Sequence, residues 1–235
     1  MIHIQNYING GFTDPIKNEW LDNICPADGL VYGKLPNSCT KDVQIAYEAA
    51  HDAYLSWSET SIEKRSAILL KIASLIEANL ERFAVAESKD NGKPISVARS
   101  IDIPRAASNF RFFSQAITQF YSESHEVRSQ KTINYTLRHP LGVVGCISPW
   151  NLPLYLLTWK IAPAIATGNC VVAKPSEVTP YTAFLLGEIC NEAGLPKGVL
   201  NIVHGLGSTT GQAIVGHPNI KAISFTSRKS LIKIQ

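Results

Sequence analysis

The feature that most constrains this chain is the regular alternation, along its second half, of short continuous apolar runs with longer helical stretches. Val143 to Ser148, Cys170 to Lys174, Val199 to Val203 and Ala222 to Thr226 are mainly apolar and of strand length. Leu154 to Thr167 and Tyr181 to Ala193 have helical length, and a third helix is expected around Gln212. Strands without polar alternation must be covered on both faces, and a helix between each pair makes the connection a crossover. The pattern therefore predicts an α/β fold built on a parallel sheet. Such sheets bind ligands outside the carboxyl ends of their strands, which directs attention to the residues that follow each run.

The first half reads differently. Ile4, Tyr7, Ile8 and Phe12 flank the turn signal Asn9-Gly10-Gly11, and Gly29 and Gly33 punctuate the next extended stretch, predicting small antiparallel strands. Thr60 and Glu63 stand in capping-box spacing ahead of the stripe Ile68, Ile72, Leu75, Ile76, Leu80 and Phe83, and Asn91-Gly92 marks a helix stop. After Pro104, a repeat of Ala107, Phe110, Phe113, Ile117 and Phe120 predicts another helix, with Asp102 as its cap. From Thr132 to Arg138 the period falls to two, as in a half-exposed strand that pairs outside the main core.

Composition narrows the partners. The net charge of +3 arises from 22 basic and 19 acidic side chains spread along the chain, and no basic run suits it to nucleic acid. Met1 to Asn6 lacks the cationic and apolar pattern of a leader, and Pro149, Asn151, Pro153, Lys160 and Pro163 interrupt the longest apolar stretches. A cytoplasmic protein with no membrane partner is expected. The 5 cysteines, Cys25, Cys39, Cys146, Cys170 and Cys190, show neither paired spacing nor metal-ligand spacing, which predicts reduced thiols and no metal site.

Three strand ends carry candidate chemistry. Ser148-Pro149-Trp150-Asn151-Leu152-Pro153 has two prolines that fix the backbone, while the Asn151 amide suits a developing oxyanion. Read from the residues alone, Asn151 could equally cap the following helix. Lys174-Pro175-Ser176-Glu177 sets a cation three residues before a carboxylate that can accept from ribose hydroxyls and repel a 2′-phosphate; an ordinary solvated loop has the same look. Gly205 to Gly211 is glycine-rich and precedes a helix whose unpaired N–H groups can face an anion, but it lacks the G-x-G-x-x-G spacing.

Taken in order, Pro149-Trp150-Asn151-Leu152-Pro153, Gly168-Asn169, Lys174-Pro175-Ser176-Glu177, Gly194-Leu195-Pro196 and Phe225-Thr226 resemble the aldehyde dehydrogenase superfamily from about Asn6 to Thr226. Leu154 to Lys160 and Ser88 to Lys93 resemble its aminomuconate-semialdehyde dehydrogenase branch, which belongs to tryptophan catabolism. The resemblance implies a Rossmann-like parallel sheet with crossover helices, preceded by a helical and β-hairpin region. Residues 1–226 would then be a cofactor-binding domain that includes part of an oligomerisation strand region at about 123–140, with 227–235 a divergent tail.

By the same resemblance the cofactor is NAD and the substrate a small aldehyde, such as 2-aminomuconate semialdehyde, oxidised to a carboxylate. Asn151 would stabilise the oxyanion, and Lys174 and Glu177 would hold the adenosine ribose. Trp150 would line the cofactor cleft, and Ser148, Pro149, Ser176, Gly207, Gly211, Phe225 and Thr226 would complete the cofactor-binding set. Arg105 would receive a substrate carboxylate; as an exposed helix charge it has an equally simple reading. The family is homo-oligomeric, as dimers or tetramers.

The pattern departs from the family after Thr226: family members continue Phe-Thr as Gly-Ser into a helix, whereas here Phe225-Thr226 is followed by Ser227-Arg228-Lys229-Ser230. A serine at a left-handed glycine position would cost about 1–2 kcal/mol. The nucleophilic cysteine and general-base glutamate lie beyond Thr226 in family order. The catalytic domain is therefore expected to be missing and the chain inactive alone. A non-catalytic cofactor-binding or subunit-interaction polypeptide is the alternative.

Overall fold

The four apolar runs of the second half lie side by side as parallel strands. A computed structural model of the chain describes residues 1–226, so the divergent tail expected from Ser227 onward lies outside the described residues. In chain order, β8 (Val143–Ile147), α6 (Pro153–Ala166), β9 (Cys170–Lys174), α7 (Tyr181–Ala193), β10 (Leu200–Ile202), α8 (Gln212–Val215) and β11 (Ala222–Phe225) follow the alternation seen in the sequence. Five short strands, β1 (Ile2–His3), β2 (Asn6–Ile8), β3 (Gly11–Thr13), β4 (Trp20–Ile24) and β5 (Val31–Pro36), come first. They are followed by α1 (Thr40–Ser58), α2 (Ile62–Ala78), α3 (Leu80–Asn91), α4 (Ile95–Val97) and α5 (Ile103–Thr118), then by the hairpin strands β6 (Ser124–Val127) and β7 (Thr132–Tyr135).

The main sheet has six strands in the order β11-β8-β9-β10-β2-β3. Val143–Ile147 pairs parallel to Cys170–Lys174 along its whole length, and β11 pairs parallel to β8 on the other side. The connections from β8 through β10 advance in one direction, whereas the return to β11 crosses back over β8. Right-handed crossovers then put α6 and α7 on one face and α8 on the other, where α8 meets α1. Every residue of β8, β9 and β10 is buried between these helices.

The N-terminal hairpin forms as read, with Asn9 (φ 51°) and Gly10 (φ 74°) both left-handed, as a two-residue primed turn requires. The strands are antiparallel as expected, and the hairpin does not stand alone, because β2 also adds antiparallel to β10 through Tyr7 opposite Ile202. Side chains fix that edge. Tyr7 donates to Asn191 Oδ1 at 2.8 Å, and the Asn9 N–H donates to Asn201 Oδ1 at 2.9 Å. β1 runs parallel, not antiparallel, to β5 in a separate sheet of order β1-β5-β4.

The helical region read from Ile68 to Phe83 is two helices broken at Asn79 (φ −103°, ψ 20°). Its N-cap is Ser61, whose hydroxyl accepts from the Lys64 N–H at 3.3 Å; the expected cap Thr60 instead donates back to Ser56 O. Gly92 ends α3 in the left-handed conformation. Asp102 does not cap α5: it has helical backbone angles inside a wide π turn, Ala98–Asp102, and its carboxylate is paired with Lys93. The α5 stripe stops at Ile117, leaving Phe120 56% exposed beyond the helix. β7 pairs with β6 away from the main sheet, as expected, but it ends at Tyr135 and all four of its residues are exposed, so the alternation does not mark a half-exposed strand with one buried face. Among the described residues, no helix is long and apolar enough to cross a membrane.

The turn between α7 and β10 lies directly against α1. At Gly198 (φ +82°) an added Cβ would stand 2.3 Å from the Ala49 carbonyl oxygen of α1, whereas at Gly194 (φ +79°) it would meet open space. Gly194→Ala should therefore lose only the left-handed preference, about 1–2 kcal/mol. Gly198→Ala must also displace α1 and should lose roughly 2–5 kcal/mol in all. Urea unfolding of the two variants measures the difference; equal losses would mean that α1 is not seated on this turn.

Candidate active site

Beyond Ile147 the β8 chain stays in the ladder for one more residue, the Ser148 N–H donating to Lys174 O at 3.1 Å. The Ser148 hydroxyl is buried and has no partner among the described residues. The chain then leaves the sheet, with Trp150 57% exposed and Asn151 exposed after it. The cap position of α6 is Leu152, which makes no side-chain cap bond, with Pro153 opening the helix. The capping reading of Asn151 therefore fails, and its amide bonds to no described residue.

β9 ends on Lys174, only 2% exposed, whose Nζ donates to Pro175 O and to Glu177 Oε2, both at 3.0 Å. Burial lowers the pKa of this ammonium, and the Glu177 carboxylate opposes that shift. Ser176 is buried, its hydroxyl accepting from the Val178 N–H at 3.3 Å. After β10, Gly207–Gly211 forms a wide π turn leading into the short α8. Gly211 lies against the Lys174 stem, where an added Cβ would stand 3.5 Å from its Cδ, and Gly207 faces open space. The helix expected near Gln212 thus has only 4 residues of its own.

β11 completes the edge. The Thr226 N–H donates to Ile147 O at 3.2 Å, Phe225 is 39% exposed, and the Thr226 hydroxyl accepts from Lys160. The four strand ends thus bring Ser148 to Asn151, Lys174 to Glu177, Gly207 to Gly211, and Phe225 with Thr226 to one margin of the sheet. Two neighbouring clefts of about 290 and 300 Å³ open along it and share Ile24 and Val178; the first reaches Glu177 and Leu206, the second Asn91 and Trp150. Arg105 is exposed on α5, with its guanidinium 5.3 Å over the ring of Tyr155 in the first turn of α6.

Residues 12–233 match the aldehyde dehydrogenase family. The chain belongs to that family. It is 49% identical to the 2-aminomuconic semialdehyde dehydrogenase of Danio rerio over 98% of its own length and 47% of the relative's. To the 2-hydroxymuconic semialdehyde dehydrogenase of Pseudomonas sp. (strain CF600) it is 42% identical, covering 96% of this chain and 48% of that one. Among solved structures, PnpE in complex with nicotinamide adenine dinucleotide superposes with a TM-score of 0.91 at 39% identity, over 94% of this chain and 45% of PnpE. The chain spans about half the length of the curated relatives it matches.

Three groups at or behind this edge escaped the sequence reading of this family member. Lys160, noted there only as a break in an apolar run, is buried on α6, and burial lowers its pKa while Cys146 opposes the shift. His204, after β10, is fully enclosed with both ring nitrogens unpartnered among the described residues; burial and the nearby Lys174 hold it down to about 3, so its ring is neutral. The third is a carboxyl cluster on α3. Asp90 accepts from Asn23, Tyr32 and the Tyr181 N–H, and burial raises it to about 6. Glu87 is fully buried without a hydrogen bond among the described residues, and burial raises it from 4.5 to about 7 against the pull of Lys93.

These shifts have a sign. A carboxyl whose pKa rises on folding contributes stability that is present below its unfolded value and is lost as pH climbs through its folded value. Between pH 4.5 and about 7, Glu87 therefore makes the fold weaker as pH rises. His204, with a lowered pKa, does the reverse between about 3 and 6.5. Glu87→Gln removes the first contribution and leaves the second. Thermal unfolding of both proteins at matched pH values should show the parent losing ground to the variant as pH rises across this window; a constant gap would mean that Glu87 titrates alike in both states.

Proposed function

We propose that this chain forms the cofactor-binding and oxyanion half of an NAD-dependent aldehyde dehydrogenase that oxidises a small semialdehyde to a carboxylate. The observation that carries the reading is the buried Lys174 ammonium held 3.0 Å from Glu177 at the carboxyl end of β9. That pair offers one fixed donor and one partly exposed acceptor, which suits the two adjacent hydroxyls of a ribose. The fit extends around it: the unpartnered Ser148 hydroxyl, the open space at Gly207 and the cleft reaching Glu177 and Leu206 leave room and polar contact for a dinucleotide. Trp150, Pro149, Ser176, Gly211, Phe225 and Thr226 border the same edge. A carboxylate at Glu177 repels a 2′-phosphate, which favours NAD over NADP.

Bound NAD supplies the hydride acceptor for aldehyde oxidation. The chain's own contribution to the chemistry is the Asn151 amide, free to donate to an oxygen that gains charge as the aldehyde carbon becomes tetrahedral. A semialdehyde substrate is supported by the two relatives named semialdehyde dehydrogenases and by Arg105, whose guanidinium can receive a carboxylate through two N–H groups. The nucleophile is a separate matter. Cys146, Cys170 and Cys190 are buried, and burial pushes each thiol up to about 12, so none is a thiolate at neutral pH. All the cysteines are free, which supports a cytoplasmic setting.

Calorimetric titration tests the reading. The chain should bind NAD more tightly than NADP and reduce no NAD when an aldehyde is added. Lys174→Met should weaken NAD roughly 10- to 100-fold, the worth of a lost charged hydrogen bond. Glu177→Gln should narrow the gap between the two cofactors. Failure to bind either cofactor would overturn the proposal.

One observation favours the alternative of a subunit-interaction polypeptide. The β6–β7 hairpin exposes Ile133, Tyr135 and, just beyond it, Leu137, each at least 65% accessible, and β7 pairs only with β6 among the described residues. Uncovered apolar side chains on an unpaired strand edge favour association. Light scattering should show self-association that Ile133→Lys with Tyr135→Lys abolishes; a monomeric parent would remove the support for this reading.

A further inference from the structure

The Asn151 amide is useful only if its loop is held still, and the loop cannot hold itself. Pro149 and Pro153 have no N–H to donate, Leu152 makes no cap bond, and Asn151 is exposed. The loop's carbonyls are instead taken by side chains from the end of α3. Asn91 Nδ2 donates to Trp150 O at 2.7 Å, and Lys93 Nζ donates to Asn151 O at 3.3 Å. The two donors flank Gly92, whose left-handed backbone (φ 77°) turns the chain there, and the turn is closed by the Ser88 hydroxyl donating to Lys93 O at 2.7 Å.

Lys93 is itself fixed. Its side chain is 12% exposed, its ammonium pairs with the buried Asp102, and Glu87 Oε1 lies 3.8 Å away. A three-donor ammonium between two buried carboxyls and one carbonyl has little freedom to leave. We propose that Asn91 and Lys93 are positioning residues for the Asn151 amide, Lys93 acting as a charged strut that transmits the rigidity of Asp102 and Glu87 to the loop. The inference rests on Asn151 being the oxyanion donor of the proposed function, and it gives the Glu87–Lys93–Asp102 cluster a task beyond packing.

The test needs neither cofactor nor turnover. In the full chain labelled with ¹⁵N-asparagine, the Asn151 backbone and side-chain amides are assigned by their loss in Asn151→Ser. In the parent, the Asn151 backbone heteronuclear NOE should match that of the core residues Asn169 and Asn201. In Asn91→Ala and in Lys93→Met it should fall toward the value of Asn134 in the exposed hairpin, with both Asn151 signals shifted and the core signals unmoved. Lys93→Arg, which keeps a cation and a donor, should restore the parent value. If Lys93→Met fails to fold, shown by loss of the Asn201 signal, Asn91→Ala decides alone. An Asn151 as ordered in the folded variants as in the parent overturns the proposal while leaving the NAD-binding result untouched. Failure of NAD binding would in turn leave this measurement readable.

Discussion

Burial of the central strands on both faces governs the rest of this molecule. With all of Val143–Ile147, Cys170–Lys174 and Leu200–Ile202 enclosed, a charged side chain stands only where a strand ends, and the amide inside β10, Asn201, has its hydrogen bonds made to Asn9 N–H and Gly198 O. Cys146 and Cys170 show the consequence within the strands, since their thiols are pushed up to about 12 and act as small apolar groups. Lys174 shows it at the strand end. Its stem occupies the last position of β9 while its ammonium emerges beside Glu177, so one residue belongs both to the core and to the edge where ligands of such sheets bind.

The N-terminal region serves that edge as well as covering the sheet. β4 walls the cleft that reaches Glu177, and Asp90 of α3 accepts from the Tyr181 N–H at 2.7 Å, a donor left open at the start of α7. The corner between α1 and α2 is tied to the far end of α6 by Trp57 Nε1 donating to Ile165 O and Arg65 Nε donating to Ala166 O. Residues from before β8 therefore reach the sheet at both of its ends. The carboxyl-end contacts are the charged and amide ones, which gives the α3 cluster its bearing on the loop at Trp150 and Asn151.

The central sheet was legible because four apolar runs separated by helices admit few arrangements. The position of the N-terminal hairpin was not, since the partner of Tyr7 is Ile202, far along the chain, and only tertiary contacts choose it. α1 went unread because its buried stripe leans on Ala46 and Ala50, which carry little apolar signal, although Cys39 followed by Asp42 marks its start. Asp102 was misread as a cap because capping preference is local and weak beside a buried ion pair with Lys93. In the candidate site, the strand-end residues could be singled out by position alone. Lys160, Glu87 and His204 could not, because each matters through a neighbour distant in sequence or through the lack of one.

Charge balance at the edge bears on which dinucleotide the site would accept under the proposed function. Lys174 is compensated by Glu177 at 3.0 Å, and His204 is held neutral by its enclosure and by Lys174 itself. The positive charge near β9 is thus already spent on a carboxylate of this chain, and a 2′-phosphate placed there would meet Glu177 before it met an uncompensated cation. A ribose diol carries no charge and needs one donor and one acceptor, which the pair supplies without breaking apart. Discrimination would then come from the acceptor half of the pair, while the donor half, buried and fixed by Pro175 O, would set where the sugar sits.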